Sequence, residues 1–217
     1  IQTKLNAETK DYNLAIKEIE KSFARLGVDY IDLMIIHSPQ PWSNFRDGNH
    51  YKDGNLMAWK ALCEYYKKGK IRAIGVSNFE IEDIKNLIEN SNVKPMVNQI
   101  LCHIGNIDFE LIDYCMKNNI VVEAYSPLGH GEILNNKKIE QMALKYNVSI
   151  AQLCIKYTLQ LGLVSLPKTS NLKRLTENSS LDFEISEEDM KKLCEIENID
   201  SYGESEIFPC YSKQLRK

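Results

Sequence analysis

Six short apolar runs in this sequence end in side chains with chemical reach. IQTKL carries Lys4, YIDLMIIHSPQP stops at His37, and IRAIGVSNF ends in Ser77 and Asn78. MVNQI carries Asn98 and Gln99, VVEAYSPLG reaches Tyr125 and Ser126, and LVSLPKTS reaches Lys168 and Thr169. If those ends converge, a neutral imidazole at His37 can donate a hydrogen bond to a carbonyl oxygen. An ammonium at Lys4 can lower the pKa of a hydroxyl that must give up a proton. That pair is suited to electrophilic activation of a carbonyl. The amides of Asn98 and Gln99 suit a carboxamide ligand such as nicotinamide, and Tyr125 can stack on a flat ring. Lys168, Thr169 and Arg174 gather at the start of the short helix LKRLTEN, where backbone N–H groups and the helix dipole favour a phosphate. Each residue also has a plainer reading: a satisfied strand-end histidine, a solvated strand-end lysine, and an ordinary solvated helix face for Lys173 and Arg174.

Convergence requires an architecture that brings strand ends together. The apolar runs alternate with amphipathic helical patterns, which predicts an α/β fold of the parallel (β/α)8 TIM-barrel type with its site at the C-terminal strand ends. Helices are expected at Tyr12–Leu26, stopped by Gly27, and at Leu56–Lys68, with Met57, Leu62 and Tyr65 on one side. Others fall at Glu80–Glu89, Phe109–Asn118, near Lys137–Tyr146, and at Ile150–Leu161 with Ser149 as N-cap. Asn171 caps LKRLTEN, and Ser186 to Asp189 has the form of a capping box. Between His37 and Leu56 lies a polar loop whose Trp42, Phe45 and Tyr51 can face a substrate on the rim. The tail SYGESEIFPCYSKQLRK lacks a period and reads as a loop laid across the barrel.

The totals narrow the function. Net charge is -3, from 27 basic and 30 acidic residues without a basic block, so neither nucleic acid nor an anionic membrane is implied as partner. No run approaches a membrane span, and no signal segment opens the chain. Six scattered cysteines without a CxxC pair read as reduced, buried thiols and point to a cytoplasmic home. His37, His50, His103 and His130 show no metal-binding spacing, so no metal is expected. GVSNF is not a GxSxG nucleophile elbow, and without GxGxxG a dinucleotide is not held in the Rossmann manner. A Schiff-base lysine at Lys4 or Lys168 is the competing chemistry, but Lys168 beside Arg174 suits an anion clamp better.

In their order and spacing, IQTKL, LGVDYIDLMIIHSP, KGKIRAIGVSNF, VNQI, VVEAYSPLG and LPKTSNLKRLTEN resemble the aldo-keto reductases over nearly the whole chain. The resemblance implies a (β/α)8 barrel that binds NADP(H) in extended form and reduces an aldehyde or ketone, a small-molecule carbonyl substrate, to an alcohol. It implies catalytic roles for Lys4 and His37. It assigns Ser77, Asn78 and Gln99 to the nicotinamide carboxamide, Tyr125 to stacking on the ring, and Ser126 and Leu128 to the pyrophosphate. Lys168, Thr169 and Arg174 then take the 2'-phosphate, and Glu177 and Asn178 the adenine. His37 and Trp42 are expected to touch substrate, with Tyr202, Phe208 and Tyr211 as further candidates. Ser38 stands where the family often has a tryptophan, and Leu101, Ile104 and Gly105 also depart from its pattern. The family's catalytic aspartate and proton-donating tyrosine lie on the first two barrel units, upstream of the lysine strand. We therefore expect residues 1–217 to form a single barrel domain, N-terminally incomplete, holding strands three to eight. Open sheet edges would then invite association of a protein that is a monomer in the family. The alternative is a non-catalytic NADP-binding or regulatory barrel.

Overall fold

The computed structural model describes residues 1–212, and its α/β chain carries six parallel strands in two compact units. One unit comprises Ile1–Gln99 with Glu110–Val122; the other comprises Ile100–Phe109 and the chain from Glu123 onward. The tail residues 213–217, part of the expected loop, lie outside the described residues. Among the described residues no helix is long and apolar enough to cross a membrane.

In the first unit, β1 (Gln2–Leu5), β2 (Ile31–Ile36), β3 (Ile71–Ser77) and the start of β4 (Val97–Leu101) lie side by side in chain order. Helices cover one face, and β2 is apolar along nearly its whole length, with Met34, Ile35 and Ile36 fully buried. The covering helices are α1 (Tyr12–Leu26), α2 (Lys52–Lys67), α3 (Ile81–Asn90) and α4 (Phe109–Lys117). Helix α1 starts where Asp11 accepts the Leu14 N–H (2.9 Å) and stops at Gly27, whose φ of 63° is the left-handed turn that glycine adopts without cost.

Helix α2 corrects the sequence-derived face in part. It begins at Lys52, four positions before the predicted Leu56, and packs through Ala58, Trp59, Ala61 and the expected Leu62, while Met57 is 42% exposed and Tyr65 half-buried. The indole decides the rotation, since it is the largest apolar group on the helix and its Nε1 donates to Val93 O at 2.8 Å. Gly75 sets the spacing of the strands. A Cβ there would stand 2.6 Å from Val97 O and 2.9 Å from Val97 Cβ, so β3 and β4 approach as closely as they do only because this position lacks a side chain.

In the second unit, β5 (Val121–Tyr125) pairs with β6 (Val164–Leu166), Tyr125 standing opposite Leu166. Ile104, Ile133, Ile139, Leu153, Tyr157 and Leu193 form its core against α5 (Lys137–Lys145), α6 (Ile150–Gln160) and α8 (Glu187–Cys194). Ser149 and Gln152 close a full capping box at α6. At α8 only half of the expected box forms. Ser186 Oγ accepts from Asp189 N, but the buried Asp189 carboxylate turns to Lys145 Nζ and Tyr146 Oη, each at 2.5 Å. Tyr146 takes the Ser186 N–H instead (2.9 Å), because a charged partner outbids a backbone amide for the acid. Helix α7 (Leu172–Ser179) buries none of its residues. The tail is more ordered than a plain loop, with 3-10 turns at Gly203–Ile207 and Pro209–Tyr211.

Cys63, Cys102, Cys115 and Cys154 are buried cysteines in no disulfide, whereas Cys194 is exposed and Cys210 half-buried. Burial pushes the Cys102 thiol up to about 12 and Cys154 higher still.

Gly75→Ala is expected to cost about 1–3 kcal/mol through overpacking. It should lower the urea midpoint without changing the slope of the transition. An unshifted midpoint would contradict the close approach of β3 and β4.

Candidate active site

Register decides which strand-end side chains meet. Lys4 pairs with Ile35, and Ile35 with Gly75. One pleat further on, His37 follows Ile36, which pairs with Val76, and Ser77 pairs with Gln99. Because alternate residues share a face, Lys4, Ile35 and Gly75 form one layer, and His37, Ser77 and Gln99 form the next on the same side. The layers touch: Lys4 Nζ donates to Gln99 Oε1, joining the first strand of the unit to the fourth.

The same alternation separates Asn98 from its neighbour. Asn98 is fully buried on the opposite, helix-covered face, with Nδ2 donating to Phe79 O (3.0 Å) and Cys115 Sγ at 3.8 Å. Asn98 and Gln99 therefore do not act together as an amide pair, correcting that part of the sequence reading. Adjacent residues of a strand cannot point into one site.

His37 is half-buried. Its N–H donates to Leu5 O (3.0 Å) and its carbonyl accepts from Asn78 Nδ2 (3.1 Å). Burial first, and then the Lys4 charge, lower its pKa to about 4, with Glu8 opposing. The ring is thus held neutral near pH 7, able to donate from one nitrogen and accept at the other. Trp42 stands edge-to-face on it at 4.9 Å and 86°, and Phe45 is tilted against Trp42 at 5.5 Å. Of the loop aromatics expected to face a substrate, Phe45 is instead buried, and Trp42 meets the histidine ring.

Ser77 and Asn78 tie the strand ends. Ser77 Oγ donates to Gln99 O (2.8 Å), while Asn78 donates its backbone N–H to the same oxygen (2.9 Å) and Nδ2 to Ser77 Oγ (3.1 Å). Asn78 adopts a φ of 61°, a left-handed conformation that asparagine tolerates better than most residues.

Two residues that the sequence reading passed over fix the loop after His37. Lys10 Nζ donates to Ser38 O and to Asn55 Oδ1, both at 2.8 Å, and Asn55 Nδ2 donates to Pro39 O and His50 O, both at 3.0 Å. Burial lowers the Lys10 pKa to about 8, against the raising influence of Glu8 and Asp83. In NAETKD a lysine reads as solvated; the available signal was Asn55, a poor helix former in the first turn of α2. His50, Glu80 and Asp83 bring potential metal ligands within 4.8 Å of one another, which their sequence spacing did not suggest. The carboxylates have structural tasks: Asp83 accepts from His50 Nδ1 (2.7 Å) and the Glu80 N–H (3.0 Å), and Glu80 pairs with Arg46.

In the second unit Tyr125 ends β5 and Ser126 follows with a φ of 51°. Ser126 Oγ lies 2.8 Å from Tyr211 Oη, and Leu128 packs partly buried against the core. Thr169 Oγ1 accepts from Asn171 N (3.1 Å), and Asn171 Oδ1 accepts from Arg174 N (3.1 Å), which shapes the start of α7. Lys168 and Arg174 are exposed and, among the described residues, in no ion pair, whereas Lys173 approaches Glu177 at 3.9 Å. Asn178 is half-buried on the last turn. Tyr202, expected as a substrate candidate, is instead buried. His103 Nδ1 donates to Ile104 O (2.8 Å), so Nε2 is the acceptor for Tyr202 Oη at 2.7 Å. Phe208 remains exposed.

Residues 1–198 match the family model described as "Aldo/keto reductase family". Among relatives, "Glyoxal reductase" of Bacillus subtilis (strain 168) is 42% identical over 194 residues, covering 89% of this chain and 66% of that protein. "Aldehyde reductase YPR1" of Saccharomyces cerevisiae is 38% identical over 221 residues, covering 92% and 70%. The chain spans about two thirds of the length of the curated relatives it matches, 61% for a Bacillus subtilis oxidoreductase and 71% for one from Schizosaccharomyces pombe. Among solved structures, an aldo-keto reductase (AKR2E5) complexed with NADPH aligns with a TM-score of 0.83 at 32% identity, covering 100% of this chain and 69% of that one. The Gox0644 D53A mutant in complex with NADPH aligns with a TM-score of 0.82 at 34% identity, covering 92% and 70%.

The His37 environment gives a pH signature. An unfolded chain takes up this proton near 6.5, and the folded one only near 4, so between those values the unfolded state binds more protons. Stability from this group is therefore complete above pH 6.5 and lost as pH falls towards 4. Side-chain NMR should show His37 neutral at pH 6 and its pKa raised in Lys4→Met. Titration of the parent at the ordinary histidine value would contradict the assignment.

Proposed function

The chain belongs to the aldo/keto reductase family, and from that premise we propose that its whole protein reduces aldehydes or ketones to alcohols with NADPH. The observation that carries this reading is the layered cluster of Lys4, Gln99 and a neutral His37 on one face of the first unit. The neutral imidazole donates to the carbonyl oxygen, where negative charge grows as the carbon is reduced. The Lys4 ammonium eases proton release from a neighbouring hydroxyl donor. Trp42 walls the substrate beside the ring, and Ser38 leaves the site wider than a tryptophan would. The relatives' names favour a small aldehyde.

Ser77, Asn78 and Gln99 are the groups proposed for the nicotinamide carboxamide, and Tyr125 for the face of its ring. Ser126 and Leu128 take the pyrophosphate, Lys168, Thr169 and Arg174 the 2'-phosphate, and Glu177 and Asn178 the adenine. The donor set fits such a ligand: two cations outside any ion pair among the described residues flank a helix start whose capping asparagine keeps the turn in place. When bound, NADPH supplies the hydride that reaches the carbonyl carbon. The reading takes residues 1–217 as part of one barrel domain, working as a monomer, and four buried cysteines in no disulfide support a reducing, cytoplasmic setting.

Fluorescence titration tests the cofactor assignment. Replacing Lys168 and Arg174 together with alanine should raise the NADPH Kd by about tenfold or more, from the loss of charge-assisted hydrogen bonds. NADH binding should change far less, and equal losses for both would contradict the phosphate clamp. With an aldehyde added, oxidation of bound NADPH that is lost in His37→Ala supports the reductase. Tight NADPH binding with no oxidation under any condition supports the non-catalytic barrel instead.

A further inference from the structure

The C-terminal tail docks on the residues that the reading above gives to the cofactor. Tyr211 is 8% exposed, and its hydroxyl bonds Ser126 Oγ at 2.8 Å. Its ring stands edge-to-face against Tyr125 at 6.2 Å and 83°, and against His130 at 4.2 Å and 78°. One side chain thus contacts both the proposed stacking ring and a proposed pyrophosphate donor.

The docking has two parts of different character. Tyr202 is an anchor, with its hydroxyl shared by His103 Nε2 (2.7 Å) and Asn106 Nδ2 (3.2 Å) and its ring 1% exposed. Beyond it, Gly203 takes a φ of 53°, which suits a pivot. The segment after the pivot is tied back through Glu206, which accepts from Ser201 Oγ (3.0 Å) and the Tyr202 N–H (3.1 Å), and through the contacts of Ser205 and Tyr211. Ser205 Oγ meets His130 Nδ1 at 3.0 Å, and Tyr211 meets Ser126, while Ile207 is 81% exposed and Phe208 54% exposed. Because Ile207 and Phe208 stay in water when the tail is docked, the burial gained by docking rests on Tyr211.

We propose that Tyr211 is an intramolecular competitor for the dinucleotide: the docked tail and the bound cofactor exclude each other, and binding requires the 203–212 segment to swing away from its anchor at Tyr202. This inference rests on the assignment of Tyr125 and Ser126 to the cofactor. A ligand that binds only the released state has an apparent Kd equal to its intrinsic Kd divided by the fraction of molecules that are released. The contested positions serve parts common to both nicotinamide dinucleotides, so the effect is blind to the 2'-phosphate.

Tyr211→Phe, which removes only the hydroxyl bond, should therefore tighten both NADPH and NADH by a similar factor of about fivefold. Tyr211→Ala, which also removes the ring, should show a larger gain in the same direction, and the phenylalanine variant serves if the alanine variant folds poorly. In the parent protein, NADPH should speed hydrogen exchange at the amides of Tyr211 and Ser212, which donate to Phe208 O and Pro209 O. The Ile199 amide, bonded to Gly105 O, should stay protected. Unchanged or weaker binding by both variants overturns the inference while leaving the cofactor reading standing. Slower exchange of the tail with NADPH also overturns it, since the tail would then close over the ligand. Failure of parent and variants alike to bind either dinucleotide removes the cofactor reading and this inference with it.

Discussion

In a parallel sheet the register fixes which side chains become neighbours, and in the first unit it is set by the pairing of Lys4 with Ile35, Ile35 with Gly75 and Ser77 with Gln99. Gly75 lets β3 approach β4 until Val97 O lies where a methyl group would go. With that spacing Lys4, His37, Ser77 and Gln99 come to one face in two successive layers. A slip of one residue along any of these strands would send its members to the helix-covered side and dissolve the cluster. The polar groups depend on the apolar packing beneath them: Ile35, fully buried in the layer of Lys4, is the floor on which the amine and the imidazole stand.

The electrostatics follow from that placement. An imidazole half out of water beside an ammonium has two reasons to stay neutral, and desolvation is the larger. The surrounding polar groups answer one another: Lys4 is met by an amide oxygen, and Lys10 by a backbone carbonyl and the Asn55 side chain. Lys10 and Asn55 hold the carbonyls of Ser38 and Pro39, so the segment that carries Trp42 to the histidine ring leaves β2 along a fixed path.

Much of this was legible in the residues. Apolar runs closing on polar ends identified all six strands, and β6 runs from Val164 to Leu166 as the pattern requires. Caps did equally well at Ser149 and Asn171, where the side-chain oxygen has no stronger partner nearby. The failures have a common origin in tertiary context. Asp189 was read as a capping acid, but Lys145 and Tyr146, more than forty residues away, claim its carboxylate. The face of α2 was read from Met57, but Trp59 has more surface to bury. Lys10 gave no local sign of burial because its partners come from two other elements. Asn98 was misread through neglect of alternation, a rule that the sequence did contain. The exposed surface of α7 shows no packing to read, so there the cations and the capping asparagine were the whole of the local signal.

The buried thiols carry a consequence of another kind. Cys102 and Cys154 are shut away and held firmly as thiols by their apolar surroundings, whereas Cys194 lies on the surface with its sulfur 3.1 Å from the Tyr157 hydroxyl. An alkylating reagent would therefore meet a chain that keeps its own record of breathing. Surface labelling comes first, and modification of the interior sulfurs follows only as fast as the second unit opens, so a mass spectrum read over time would report that opening without any added probe.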